Sequence, residues 1–208
     1  MNNKIGAIGS LINAVTVLGF AIFIVISWSF GEFFICILLA LSFICMIGAL
    51  YTECPDEKKA AGIVAVMFTA VYAVLIVIVY YTQCSTVVNE QLGEDVDRIL
   101  NYSHMGLMFN LDMLGYGVMA LATFFIGLTI NVKNKKDKAL KFLLLLHGGF
   151  FPGCFILPMT GLFLKSAGSE SSGGAFALVI WCLYFLPIGI LSYLHFRENG
   201  KEKMVGNY

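Results

Sequence analysis

Ala60–Thr82 reads AAGIVAVMFTAVYAVLIVIVYYT, 23 residues without a charge or a proline, preceded by Lys58-Lys59 and followed by no charge before Glu90. As a helix it extends about 35 Å at 1.5 Å per residue, enough to cross a hydrocarbon layer of about 30 Å. Backbone amides surrounded by lipid must bond within their own segment, so a run of this kind has to be helical. The same pattern recurs along the chain. Charge-free, apolar stretches predict six spans near 5–30, 33–51, 60–82, 105–130, 140–164 and 174–196. The expected fold is all-α: one domain over 1–208, a six-helix transmembrane bundle. The first run is read as a span and not a cleavable leader, because its apolar stretch is too long and only Lys4 precedes it.

Composition agrees. Of 208 residues, 59% are hydrophobic and 12% charged, against about 45–50% and about 25% in soluble domains. A single water-soluble core cannot bury so much apolar surface. The 13 basic and 13 acidic residues cancel, which argues against a nucleic-acid partner; the expected partner is the lipid bilayer. With six spans, the N-terminus, second loop, fourth loop and C-terminus share one side and hold eleven of the 13 Lys and Arg. The positive-inside rule then predicts both termini in the cytoplasm and a multi-pass protein of the plasma or inner membrane. The outer side receives a turn at Gly31-Glu32, the acidic loop Gln83–Ser103, with the glycosylation sequon Asn101-Tyr102-Ser103, and the small-residue loop Ser166–Gly173.

The polar residues within the spans carry the functional signal. Asp112 falls eight residues into the fourth span, about 12 Å below its outer end. A carboxylate at mid-membrane costs about 2.5–3.5 kcal/mol on insertion scales, so such residues face a bundle interior or a wet cavity. Tyr116 shares its helical face at i+4. By depth, Tyr72, Trp181 and Tyr184 can line the same outer-half cavity, and an acid among aromatic rings is a common way to hold an organic cation. The solute-binding candidates are therefore Asp112, Tyr116, Tyr72, Trp181 and Tyr184. His147 belongs to a second polar layer, level with Asn13, too far from Asp112 in depth for a direct pair. His147-Gly148-Gly149, with Pro152 and Pro158 downstream, marks a site for a helix kink. Gly149-x-x-x-Gly153 offers a small-residue surface for packing within the bundle or between two copies in a homo-oligomer.

No catalytic motif is present: neither HExxH, GxSxG nor a Walker loop. The three His lie at different depths and the six Cys form no CxxC or Cys/His cluster, so neither a metal centre nor a cofactor is expected. Asp112-Met113-Leu114-Gly115-Tyr116-Gly117, followed by Leu121-Ala122-Thr123-Phe124-Phe125, resembles a stretch that recurs in an uncharacterised family of small bacterial six-span membrane proteins. The resemblance implies a bacterial inner-membrane location and no particular activity. Three functions fit these residues. One is a non-enzymatic protein that binds or transports a small solute, cationic or proton-coupled; the second is a structural or regulatory membrane partner; the third is a cofactor-free isomerase that shelters a cationic intermediate.

Overall fold

Apolar runs free of internal charge form helices because the chain has no other way to satisfy its amides in lipid. The computed structural model describes residues 1–161, 163 and 172–205. These form α1 (Asn2–Val25), α2 (Ser29–Tyr51), α3 (Lys59–Thr82), α4 (Glu94–Leu100), α5 (Leu107–Thr129), α6 (Lys135–His147), α7 (Phe151–Met159) and α8 (Ser172–Val205). Among the described residues six stretches are long and apolar enough to cross a bilayer, one of them made of α6 and α7 together. The protein is an all-α polytopic membrane protein. Lys165 and most of the expected loop Ser166–Gly173 lie outside the described residues.

Burial is distributed as a bilayer demands. Ile8, Met67 and Val74 are each more than half exposed, whereas Asn13, Asp112, Thr123 and His147 are almost wholly buried. Polar groups gather inside because lipid cannot hydrogen-bond them. The spans close into a ring: α1 packs on α2, α2 on α3, α3 on α5, α5 on α6 and α7, α6 on α8, and α8 returns to α1. Phe43, Tyr72 and Phe185 fill its centre.

Two span boundaries differ from expectation for an evident local reason. The first turn is not at Gly31-Glu32 but at Ile26–Trp28, where Ser27 takes φ 55°. Trp28 folds back against Phe23 (ring centroids 4.8 Å) and lies over Gly31, where a Cβ would meet its ring at 2.4 Å. Gly31 and Glu32 thus belong to the first turn of α2, where an acid complements the helix dipole. The fourth span starts at Leu107 and not Met105, because Met105 adopts a left-handed φ of 52°. The fifth span is interrupted by a 3₁₀ turn at Gly148–Phe150, where a kink is expected from His147-Gly148-Gly149; Pro152, at the start of α7, lacks the N–H that would bond the Gly148 carbonyl.

Close helix contact arises where the small residues are actually covered. A Cβ on Gly189 of α8 would lie 3.0 Å from the backbone nitrogen of Ala14 in α1. Gly189→Leu is therefore expected to force α1 and α8 apart and destabilise the bundle by about 1–3 kcal/mol, read by thermal unfolding in detergent. Among the described residues nothing lies within 4 Å of a Cβ placed on Gly149 or Gly153, so their motif makes no close contact with them.

At the end of the bundle where α2, α5 and α6 meet α8, a polar knot joins distant parts of the chain. His195 on α8 places Nδ1 2.7 Å from Asp137 Oδ1 and Nε2 2.8 Å from Glu53 Oε2. Carboxylates only accept, so this geometry suits a ring that donates from both nitrogens. Asp137 Oδ2 accepts from the Lys133 backbone N–H at 3.0 Å. Asn134 caps α6 by accepting from the Lys136 and Asp137 amides, and Lys136 pairs with Glu198.

Candidate functional site

Asp112 sits five residues into α5, about 8 Å from its start and shallower than the expected 12 Å, because the helix begins at Leu107. Its side chain faces the interior and is 3% exposed. One carboxyl oxygen, Oδ2, accepts from the Tyr102 hydroxyl at 2.9 Å; the other, Oδ1, is buried with no hydrogen-bond partner among the described residues. An unpartnered buried polar atom costs about 1–3 kcal/mol.

Tyr102 reaches Asp112 from the segment between α3 and α5, which folds back over the bundle. A π turn at Gln83–Val87 ends α3, and its first residue, Gln83, is buried. Gln83 Nε2 donates to the Leu100 carbonyl (2.8 Å) and Oε1 accepts from the Tyr102 amide (3.0 Å). Asn101 Nδ2 donates to Asp97 Oδ1 (3.1 Å), and Asn101 Oδ1 accepts from the Ser103 amide (3.0 Å), which makes the sequon a tight turn. Asp97 also meets His104 Nε2 at 2.6 Å. Hydrogen bonds from His104 and then Asn101 hold the Asp97 carboxyl below the usual carboxylate range. A depressed acid stabilises above its ordinary pKa, and that contribution disappears as pH falls through the lowered one. The turn is expected to be firm near neutrality and to loosen in strong acid, measurable as faster amide exchange at Tyr102 and Ser103.

Aromatic rings surround this point. Tyr102 lies 5.7 Å from Phe33, 6.2 Å from Tyr80 and 5.5 Å from Phe109, centroid to centroid. One turn deeper, Tyr116 lies edge-on to Trp181 at 5.3 Å and 6.0 Å from Tyr72, with its hydroxyl 3.7 Å from Cys36 Sγ. The Tyr72 hydroxyl is buried without a hydrogen-bond partner among the described residues. Asp112, Tyr116, Tyr72 and Trp181 are thus linked through ring contacts and one helical turn. Tyr184 is not part of this group. Its hydroxyl donates to the Leu143 carbonyl and its ring stacks on His147 at 5.9 Å.

The second polar layer is also rearranged. His147 Nδ1 is 2.7 Å from Thr123 Oγ1, and His147 Nε2 accepts from the Trp181 indole N–H at 3.1 Å. Trp181 therefore joins the two layers, touching Tyr116 with its ring and His147 with its nitrogen. Asn13 has other company: its Nδ2 donates to Ser42 Oγ at 3.3 Å. Asp112 and His147 make no direct bond, as their depths require. Among the described residues no group of three His, Cys, Asp or Glu could hold a metal ion. No family model, curated protein or solved structure matches this chain.

Proposed function

We propose that the bundle binds a small solute that is cationic, or that travels with a proton, and that Asp112 is its charged partner. One observation carries this reading: Asp112 Oδ1 is buried amid tyrosine rings without a hydrogen-bond partner among the described residues. A cation supplies the missing partner and favours aromatic faces, of which Tyr116, Tyr72 and Trp181 are nearest in line. A proton on Asp112 would serve the same oxygen, which is why coupling to protons belongs to the proposal. The eleven-to-two basic asymmetry supports cytoplasmic termini, so Tyr102 and Asp112 would face outward, in a plasma or bacterial inner membrane.

The chain has two tryptophans, and Trp28 is exposed at the turn between α1 and α2. Trp28→Phe therefore leaves Trp181 as a single reporter 5.3 Å from Tyr116. In nanodiscs, its fluorescence should change saturably with tetramethylammonium, sodium, potassium or pH. Asp112→Asn should weaken that response at least tenfold. A protein that is only a scaffold would give no saturable response to any of these, or one that Asp112→Asn leaves intact.

A further inference from the structure

Thr16, Ser42, Thr69, Thr123 and Thr129 are buried in the spans, and each donates its hydroxyl to a backbone carbonyl about one turn back in its own helix. That is the ordinary way for such a side chain to be satisfied where no water reaches it. Ser10 on α1 and Ser192 on α8 depart from it. Both are fully buried, and both hydroxyl oxygens lack a hydrogen-bond partner among the described residues. The side-chain oxygen of Asn13, also fully buried, is in the same condition. We propose that these three oxygens form a binding site for a water molecule, enclosed between α1 and α8 and separate from the Asp112 group.

Helix register brings the three together. A Cβ on Gly6 would lie 2.6 Å from the Phe196 ring, and a Cβ on Gly189 would lie 3.0 Å from the Ala14 nitrogen. Gly6 and Ala14 stand four residues before and four after Ser10, so Ser10 shares their face of α1, midway between the two contacts. Ser192 follows Gly189 by three residues and precedes Phe196 by four, which puts it at the same level on the facing side of α8. Asn13 lies three residues beyond Ser10, beside Ala14. Its Nδ2 donates to Ser42 Oγ of α2 at 3.3 Å, which leaves the oxygen for a ligand. The site is closed at both ends, by the Phe196 ring against Gly6 and by Gly189 against Ala14.

Water suits this set because it both donates and accepts. It gives one hydrogen to Asn13 Oδ1, which only accepts, and exchanges bonds with two hydroxyls, which do both. About three partners is the usual number for a buried water. A metal cation suits it less. The three oxygens are neutral, and α1 and α8 run as continuous helices through this level, so their carbonyls are engaged within the helix. An uncompensated charge at this depth in a membrane is costly. An empty site suits it least, because buried polar atoms in folded proteins almost always have a partner in protein or in ordered water.

Water-edited magic-angle-spinning NMR of the full chain in lipid bilayers tests this directly. Magnetisation should pass from water to the Asn13 side-chain amide and the Ser10 backbone amide, and not to the amides of Val17 and Phe20, which are buried on the same helix. No transfer to Asn13, or equal transfer to all four groups, overturns the proposal. Ser10→Ala and Ser192→Ala give an independent reading by unfolding in SDS. Alanine is the better helix former, so deleting a hydroxyl that bonds nothing would cost no stability. With a water in place each substitution removes one of its bonds, and the ratio of unfolded to folded protein should rise about threefold or more. A ratio that stays the same or falls in either variant overturns the proposal. So does a melting temperature raised by sodium or potassium chloride over choline chloride at equal ionic strength, where Ser10→Ala abolishes the rise; a cation would then occupy the site.

Discussion

Tyr102→Phe is expected to raise the reactivity of Cys36 toward a small thiol reagent about ten- to a hundredfold. Cys36 is fully buried beside Tyr116, on the inner side of the segment that covers Asp112. The covering segment is held by the Tyr102 hydroxyl on Asp112, by Gln83, and by rings from Phe33, Tyr80 and Phe109. Phe keeps the ring contacts and removes only the hydroxyl, whose bond to Asp112 is worth about 1.5–3 kcal/mol when the carboxyl is ionised. At about 1.4 kcal/mol per tenfold change, the open population rises by the stated factor. The measurement is a labelling rate in a variant whose other five cysteines are replaced. Equal rates with and without the hydroxyl would mean that the rings alone keep the segment down.

His195→Leu is expected to lower the stability of the whole bundle by about 3 kcal/mol or more. It removes the donor from Asp137 and from Glu53 at once, and breaking a buried charge pair by deleting one partner costs about 3–5 kcal/mol. Asp137 suffers most, being 2% exposed, while Glu53, at 22%, keeps some hydration. Glu53→Gln keeps an acceptor for His195 and for Asn199, whose Nδ2 donates to Glu53 Oε2 at 2.9 Å, and should cost much less. Unfolding in mixed micelles with increasing SDS, followed by far-ultraviolet circular dichroism, gives both values. A loss below about 1 kcal/mol for His195→Leu would show that water takes over the role of the ring.

The spans were legible because lipid imposes one rule on every backbone amide, and charge-free runs obey it visibly. Asp112 was legible for a related reason: an acid in such a run has few places to go, and here it turns inward with Tyr116 and Thr123 on its face. Tyr102 was not. Its place depends on a π turn, an Asx turn and a left-handed Met105, so a residue in the middle of a sequon arrives ten positions away on a carboxylate. The first turn misled for the opposite reason. Glu32 is the first charge after Lys4 and Gly31 precedes it, yet the fold uses the glycine to admit the Trp28 ring and the acid to begin α2. Glu53, Lys133, Asp137, His195 and Asn199 were hidden by the very count that gave the topology. Basic and acidic residues at span ends read as solvated anchors, and nothing in the sequence says that positions 53, 137 and 195 meet. The one local sign is that His195 and Asn199 lie at i and i+4, on one helical face.

The contact between Ala14 and Gly189 also sets a condition on biogenesis. About 175 residues separate these partners, and at about 5–20 residues per second a ribosome needs roughly 9–35 s to make them. During that interval the first helix is in the membrane with Ser10, one turn from Gly6 and from Ala14, which meet Phe196 and Gly189 of α8, still lacking that neighbour. It must wait beside the second helix, or borrow shelter from the insertion machinery, until the last helix emerges. A chain released before that point keeps an open circle with a polar seam toward lipid, the kind of defect that membrane quality-control proteases remove.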